Sequence, residues 1–224
     1  MVPPLSVVRG TMEGMTIAEA PPRLAAAADV SLRWYPEAPY SLSRTLAPLL
    51  RGNSDPSFSV QGDVIWNAFT TPDGPATMRL APAGGGEAGV PLVDIQAWGP
   101  GAAAAVEAAP RLLGADDDWR GFDDPSFHAT LPRMVREARR RCLAVRLPSS
   151  GRMVDQLVPI ILEQKVTVIE ARRAYRYLTH RYGTPAPPAV TSTPAGLVVP
   201  PTAAQWLQVP SWEWHKAGVG PQRS

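Results

Sequence analysis

MVDQLVPIILEQKVTVIEARRAYRYLTHRYG, from Met153 to Gly183, is the stretch whose reading decides the fold of this chain. Its first half places Met153, Leu157, Ile160 and Ile161 at i, i+4, i+7 and i+8, the spacing that gathers apolar side chains on one helix face. Thr167 followed three residues later by Glu170 is a capping box, so a second helix starts there, with Val166 and Ala171 as a weak hydrophobic staple. That helix has two faces. Val168, Ala171, Tyr175 and Leu178 call for a core; Ile169, Arg172, Arg173, Arg176 and His180 call for an anion. Gly183 reads as a left-handed residue just past the helix, and Pro185 prevents continuation. Two helices joined by a very tight turn are the expectation.

Outside that stretch, 224 residues with 45% hydrophobic content suffice for one large domain or two small ones with a real core. Cys142 is the only cysteine, which excludes an intramolecular disulfide and Cys-cluster metal sites and favours a reducing compartment. The first 28 residues lack the order of basic, apolar and cleavage segments of a secretory signal, and no apolar run approaches the roughly 18 residues of a membrane span. A cytoplasmic protein without membrane contact is expected. Residues 1–28 have no ordering periodicity, and Met12 and Met15 leave the true start open.

Charge is lopsided. Up to Pro125 the chain has 8 Arg and Lys against 15 Asp and Glu; from Ser126 onward it has 14 against 5. These give −7 and +9, which sum to the formal +2. A basic half carried mainly by arginine suits phosphates, because guanidinium forks match phosphate oxygens bidentately. The plainer alternative is a solvated helical surface.

In chain order, Asp29 to Tyr35 alternates as a strand with Val30, Leu32 and Trp34 on one side, and Ser41 can cap a short helix through Leu50 with Leu42, Leu46 and Leu49 as its stripe. Val64 to Thr70 leads through the turn Thr71-Pro72-Asp73-Gly74 into a strand from Ala76 to Leu80. After Gly84-Gly85-Gly86, Val93, Ile95 and Ala97 alternate as a further strand, and Gly101 to Leu113 is an alanine-rich helix that Pro110 should kink or break. The order β, α, β, β, β, α describes a small α+β domain over residues 29–114. Beyond it the pattern is helical. Asp124 caps a helix with Pro125 at N1, and Phe127, Leu131, Met134, Ala138 and Cys142 keep helical spacing toward a core. Arg133, Arg136 and Arg140 crowd its other side, with Arg139 and Arg141 beside them as candidate phosphate contacts. Residues 184–201 hold six prolines and read as a loop. Two short helices follow, 202–209 and 211–217, each opened by a capping hydroxyl, with Gly218 as a helix stop.

These residues resemble the DNA-3-methyladenine glycosylase II family, a branch of the helix-hairpin-helix DNA glycosylase superfamily. The resemblance rests on VPIILEQKVTV (Val158 to Val168), Glu170-Ala171-Arg172 and Arg181-Tyr182-Gly183, with weaker support from Asp124 to Leu147 and from Pro210-Ser211-Trp212-Glu213-Trp214-His215. It implies an α+β fold: a small N-terminal antiparallel sheet domain with two helices, then an all-α glycosylase domain over residues 115–224. It also implies base excision repair, with duplex DNA carrying alkylated bases as partner and hydrolysis of their N-glycosidic bonds as the reaction. No metal or cofactor is implied, and the place of action is the cytoplasm, on the nucleoid. Such enzymes flip the target nucleotide and fill the gap with a wedge side chain. By resemblance the wedge falls on Lys165, beside Gln164, Val166 and Thr167, and Arg172, Arg173, Arg176, Arg136 and Arg140 complete the DNA contacts. Lysine departs from the family's apolar wedge, although its aliphatic stem can lie between bases while its ammonium meets a phosphate. A merely polar turn between packed helices is the competing reading.

The family places a hairpin motif and a catalytic aspartate beyond everything described so far, and here no Asp follows Asp155. The only carboxylate side chain after Glu170 is that of Glu213, and Gln222-Arg223-Ser224 are too few to form the helix that a hairpin at Gly218-Val219-Gly220 would need. The expectation is an incomplete, inactive helical domain with no catalytic residue. A non-catalytic DNA-binding or partner-binding module is the alternative, and self-association through an exposed, incomplete core stays open.

Overall fold

The computed structural model describes residues 27–37, 39–83, 91–190 and 192–220. The expected unordered N-terminus up to residue 26, the Gly84-Gly85-Gly86 stretch and the last four residues lie outside them. The fold is α+β. Five strands, β1 (Val30–Trp34), β2 (Phe58–Gln61), β3 (Val64–Thr71), β4 (Gly74–Ala83) and β5 (Leu92–Trp98), form one antiparallel sheet in the order β1-β5-β4-β3-β2. The β3–β4 hairpin closes on the pair Thr71 and Gly74, the latter at φ 129 where glycine is at ease. Strand β2 corrects the expected order to β, α, β, β, β, β, α. Its four residues, FSVQ, alternate too briefly to be read alone; pairing with β3 makes the strand.

Each sheet face has its own cover. Ile65, Phe69, Met78, Leu80 and Ile95 pack against α1 (Leu42–Leu46), which runs on as a 3-10 turn (Ala47–Leu49), and against α2 (Ala102–Leu112). Ser41 stands at the start of α1, but its side chain makes no cap bond. On edge strand β1, Val30 and Trp34 pack inward as expected, whereas Leu32 stays exposed. Helix α2 runs through Pro110 instead of breaking there. The opposite sheet face carries Trp66, stacked on Trp98 at 5.9 Å, and Ala68. What covers them is the segment expected to be a plain loop. Its two-residue strands β6 (Thr184–Pro185) and β7 (Val198–Val199) pair, and Leu197, Val199 and Ala186 lie over the tryptophans. Thr77 Oγ1 donates to the Pro187 carbonyl at 2.7 Å, and the Val198 N–H donates to the Pro56 carbonyl at 2.7 Å.

The remainder is helical: α3 (Arg120–Asp123), α4 (Pro125–Thr130), α5 (Arg133–Arg141), α6 (Met153–Leu162), α7 (Val168–Tyr182), α8 (Ala203–Leu207) and α9 (Ser211–Lys216). Asp124 caps α4 as expected, accepting the Ser126 and Phe127 N–H groups. The single helix expected through Cys142 breaks at Pro132, because a proline pushes the residue before it out of the α region, and Leu131 sits at φ −73, ψ 148. Its apolar stripe is not core: Phe127 is about half exposed and Met134 mostly exposed.

A second correction concerns α6. The expected core face, Met153, Leu157, Ile160 and Ile161, is exposed; Leu162 is buried and Val154 and Val158 are partly buried in the cluster that holds α7, α8 and α9 together. Helix α7 contributes Ala171, Ala174, Tyr175 and Leu178 to that cluster and α8 contributes Trp206, while Val168 stays half-exposed. The Thr167–Glu170 capping box is present with both bonds. Gly183 departs from expectation, since its backbone is extended at φ −76, ψ 179. Glycine is required there for space: a Cβ would stand 2.5 Å from both the Thr179 and Val199 carbonyl oxygens. Ser211 is the first helical residue of α9 after Pro210, not its cap. Gly218, at φ 82, ends α9 in a Schellman arrangement, with the Gly218 N–H bonded to His215 O and the Val219 N–H to Trp214 O.

Candidate nucleic-acid interface

The turn between α6 and α7 is set by backbone conformation. Among the described residues Lys165 is the one non-glycine residue with positive φ, at 57°. A left-handed residue with a Cβ costs about 1–2 kcal/mol, and here it reverses the chain between two helices in a few residues. Gln164 and Lys165 are exposed at the tip, with Gln164 Nε2 donating to the Ile160 carbonyl at 3.4 Å. Val166 tucks into the helical core and Thr167 accepts the Glu170 N–H, so two tip side chains point outward from a fixed base.

From that tip the outer face of α7 runs through Ile169, Arg172, Arg173, Arg176 and His180, all exposed. The arginines are not equivalent. A Cβ on Gly52 would stand 2.8 Å from Arg172 Nη1, so this guanidinium lies over the loop before β2. Arg173 reaches toward Gly218, whose Cβ would stand 3.6 Å from Nη2.

Arg136 and Arg140 stand on α5, away from the tip in the chain. Much of the α5 charge is already answered locally. Arg139 donates twice to Asp123, at 2.6 and 2.8 Å, and lies 4.2 Å over the Trp119 ring, and this pairing holds the Asp123 carboxyl below its ordinary range. Arg133 pairs with Glu137 at 2.6 Å. Arg140 is exposed, and Arg136 Nε is enclosed without a hydrogen-bond partner among the described residues. The structure therefore gathers Gln164, Lys165, Arg172, Arg173 and Arg176 along one turn and one helix, with Arg136 and Arg140 on a separate element.

Sequence reading missed the polar seam between sheet and helices. Arg152 Nη2 donates to Asn67 Oδ1 at 3.1 Å, its Nε to Asp155 at 3.2 Å, and its guanidinium lies 3.8 Å over the Phe69 ring. Alongside, Asp55 accepts the Arg51, Ser57 and Phe58 N–H groups, and Arg51 donates to Gln156. Burial pushes the carboxyl pKa values of Asp55 and Asp155 up and that of Arg152 down. The enclosed space is about 30 Å³, room for a water. No sequence signal marks this seam, because the bonds that join its two sides, Arg152 to Asn67 and Arg51 to Gln156, link residues 85 and 105 positions apart.

Of the described side-chain carboxylates from α6 onward, all but Glu163, the residue that ends α6, are committed. Asp155 serves Arg152, Glu170 closes the capping box, and buried Glu213 accepts Tyr177 Oη and Lys216 Nζ, each at 2.7 Å. The lysine, then the tyrosine, hold the Glu213 carboxyl below its ordinary range.

Shape comparison supplies the context for this geometry. A 3-methyladenine DNA glycosylase from Archaeoglobus fulgidus superposes with a TM-score of 0.62 at 12% identity, over 86% of this chain and 63% of its own. The chain has the fold of the DNA glycosylases. The 8-oxoguanine glycosylase/lyase of Clostridium acetobutylicum, solved with double-stranded DNA containing cytosine opposite 8-oxoguanine, gives 0.53 at 8% identity over 82% of this chain and 56% of that one. MBOgg1 in complex with a low-affinity DNA ligand gives 0.58 at 12% identity over 89% and 61%. This chain thus spans about six-tenths of the length of each glycosylase. No protein-family model and no curated protein matches the sequence.

Proposed function

We propose that this chain is a glycosylase-fold DNA-binding protein of base excision repair. It grips duplex DNA through the α6–α7 turn and the basic ridge of α7. The observation that carries this reading is the tip itself: Gln164 and an energetically costly left-handed Lys165, exposed and followed by Arg172, Arg173 and Arg176 on one outward face. Residues held in sparsely populated backbone regions cluster at functional sites, which favours a presented side chain here over a merely polar turn. Two of the similar structures hold DNA, which supports the partner. Arg173 and Arg176 meet phosphates, Lys165 enters the duplex at the tip, and Arg136 and Arg140 add a second phosphate strip from α5.

Hydrolysis of an alkylated base needs a carboxylate near the sugar to activate water or to stabilise positive charge. Asp155, Glu170 and Glu213 are each held by other groups. Glu163, at the end of α6 beside the tip, makes no side-chain bond among the described residues, and we assign binding, and not N-glycosidic bond cleavage, to the tip and the α7 ridge. Two assays on one duplex test both parts. Fluorescence anisotropy with DNA carrying 3-methyladenine should show binding, and alkaline cleavage after incubation should show no more abasic sites than buffer alone. Abasic sites well above buffer would overturn the assignment of binding without chemistry, and absence of binding would overturn the DNA reading altogether.

A further inference from the structure

We propose that the exposed side of α6, with the groove beside it, is a docking face for a second copy of this chain. Met153, Leu157, Ile160 and Ile161 are 73%, 44%, 43% and 45% exposed along one side of α6. Next to them an apolar groove is walled by Val154 of α6, by Trp206, Leu207 and Val209, and by Trp214, with Leu207 itself 84% exposed. Taking about 200 Å² for a fully exposed large side chain, these five residues offer on the order of 600 Å² of apolar surface. That reaches the upper end of what monomers ordinarily expose in one patch and, with the groove walls, approaches the roughly 800 Å² per partner of a standard interface.

Charge selects the occupant. Between Met153 and Leu162 the one ionisable side chain is Asp155, which faces the seam and pairs with Arg152. Between Met153 and Leu162 this side of α6 carries no cation for a nucleic acid and no unpaired charge to repel its own copy; Glu163 follows only at its C-terminal end. Two α6 helices can therefore meet across a two-fold axis with apolar side chains on both sides, as isologous dimers require. Helix α6 turns Val158 and Leu162 into the core it shares with α7, α8 and α9, which leaves the side of Met153, Leu157 and Ile161 free for this contact.

Sedimentation velocity of the purified chain from about 1 to 100 µM tests the proposal independently of DNA binding. The expected result is a concentration-dependent species of twice the 24.0 kDa chain mass. The double variant Leu157→Glu/Ile161→Glu should run as a monomer throughout while keeping the wild-type circular dichroism, and Ile169→Glu, an exposed position on α7, should still dimerise. A wild type that stays monomeric, a dimer that survives the double variant, open-ended aggregation without a dimer, or a different polypeptide bound in place of the copy would each overturn it.

Discussion

The sheet and the helical layer of this chain solve the burial problem unequally. Both faces of the sheet are covered, one by α1 and α2 and the other by the proline-rich strap from Thr184 to Val199. Among the described residues the helical layer covers only one side of itself: α7 sinks Ala171, Tyr175 and Leu178, while α6 and α5 leave Leu157, Ile161 and Met134 to solvent. Apolar periodicity thus identifies a helix and its apolar face, but not whether that face is covered.

The largest contrast should appear in paired truncations. Ile95→Ala, at a fully buried sheet position, should cost about 2–5 kcal/mol in urea unfolding, whereas Leu157→Ala at low protein concentration should cost no more than about 0.5 kcal/mol. Equal losses would mean that α6 has a cover the structure does not contain. Next in size is Gly183→Ala at the α7–β6 junction. Its backbone suits alanine, so the whole effect, about 1–3 kcal/mol, should come from the clash with the Thr179 and Val199 carbonyls, and a neutral result would remove that account. Thr167→Ala removes one half of the capping box and should cost about 1 kcal/mol.

The smallest expected effect is a pH dependence. Glu213 is held below its ordinary pKa by Lys216 and Tyr177, so its contribution is present above the usual glutamate range and is lost as pH falls through the lowered folded value. Buried Asp155 and Asp55 act in the opposite sense: their raised values mean that acid relieves a cost of ionisation at the seam. Tryptophan fluorescence during acid titration should therefore report loosening of α9, through Trp214, before the seam gives way. Glu213→Gln should flatten that early change, and an early change that persists in this variant would remove Glu213 as its source.

Local chemistry was the part of the fold that could be read directly. The Thr167–Glu170 box, the Asp124 cap, the Thr71–Gly74 turn and the Gly218 stop each depend on residues within a few positions of one another. Strand β2 was hidden because four residues acquire a strand conformation only from β3 beside them. The strap looked like a loop because its prolines suppress periodicity, yet they suit a segment that lies flat on Trp66 and Trp98. At the candidate interface the tip and the α7 ridge were legible as one amphipathic pattern. The neutralisation of Arg139 by Asp123 was not, since it needs α3 folded back onto α5. The position of Arg172 over Gly52 has the same origin, a contact that only the tertiary structure creates.

The claim at the centre of this account is that the outer ridge of α7 binds phosphates, and the salt dependence of duplex binding tests it most directly. The logarithm of affinity should fall linearly with the logarithm of salt concentration, by about 0.9 per phosphate contact. Arg173→Ala/Arg176→Ala should make that slope shallower by nearly two while leaving the unfolding transition in place, because both side chains are exposed. Binding that ignores salt, or a slope unchanged in the double variant, would contradict the assignment.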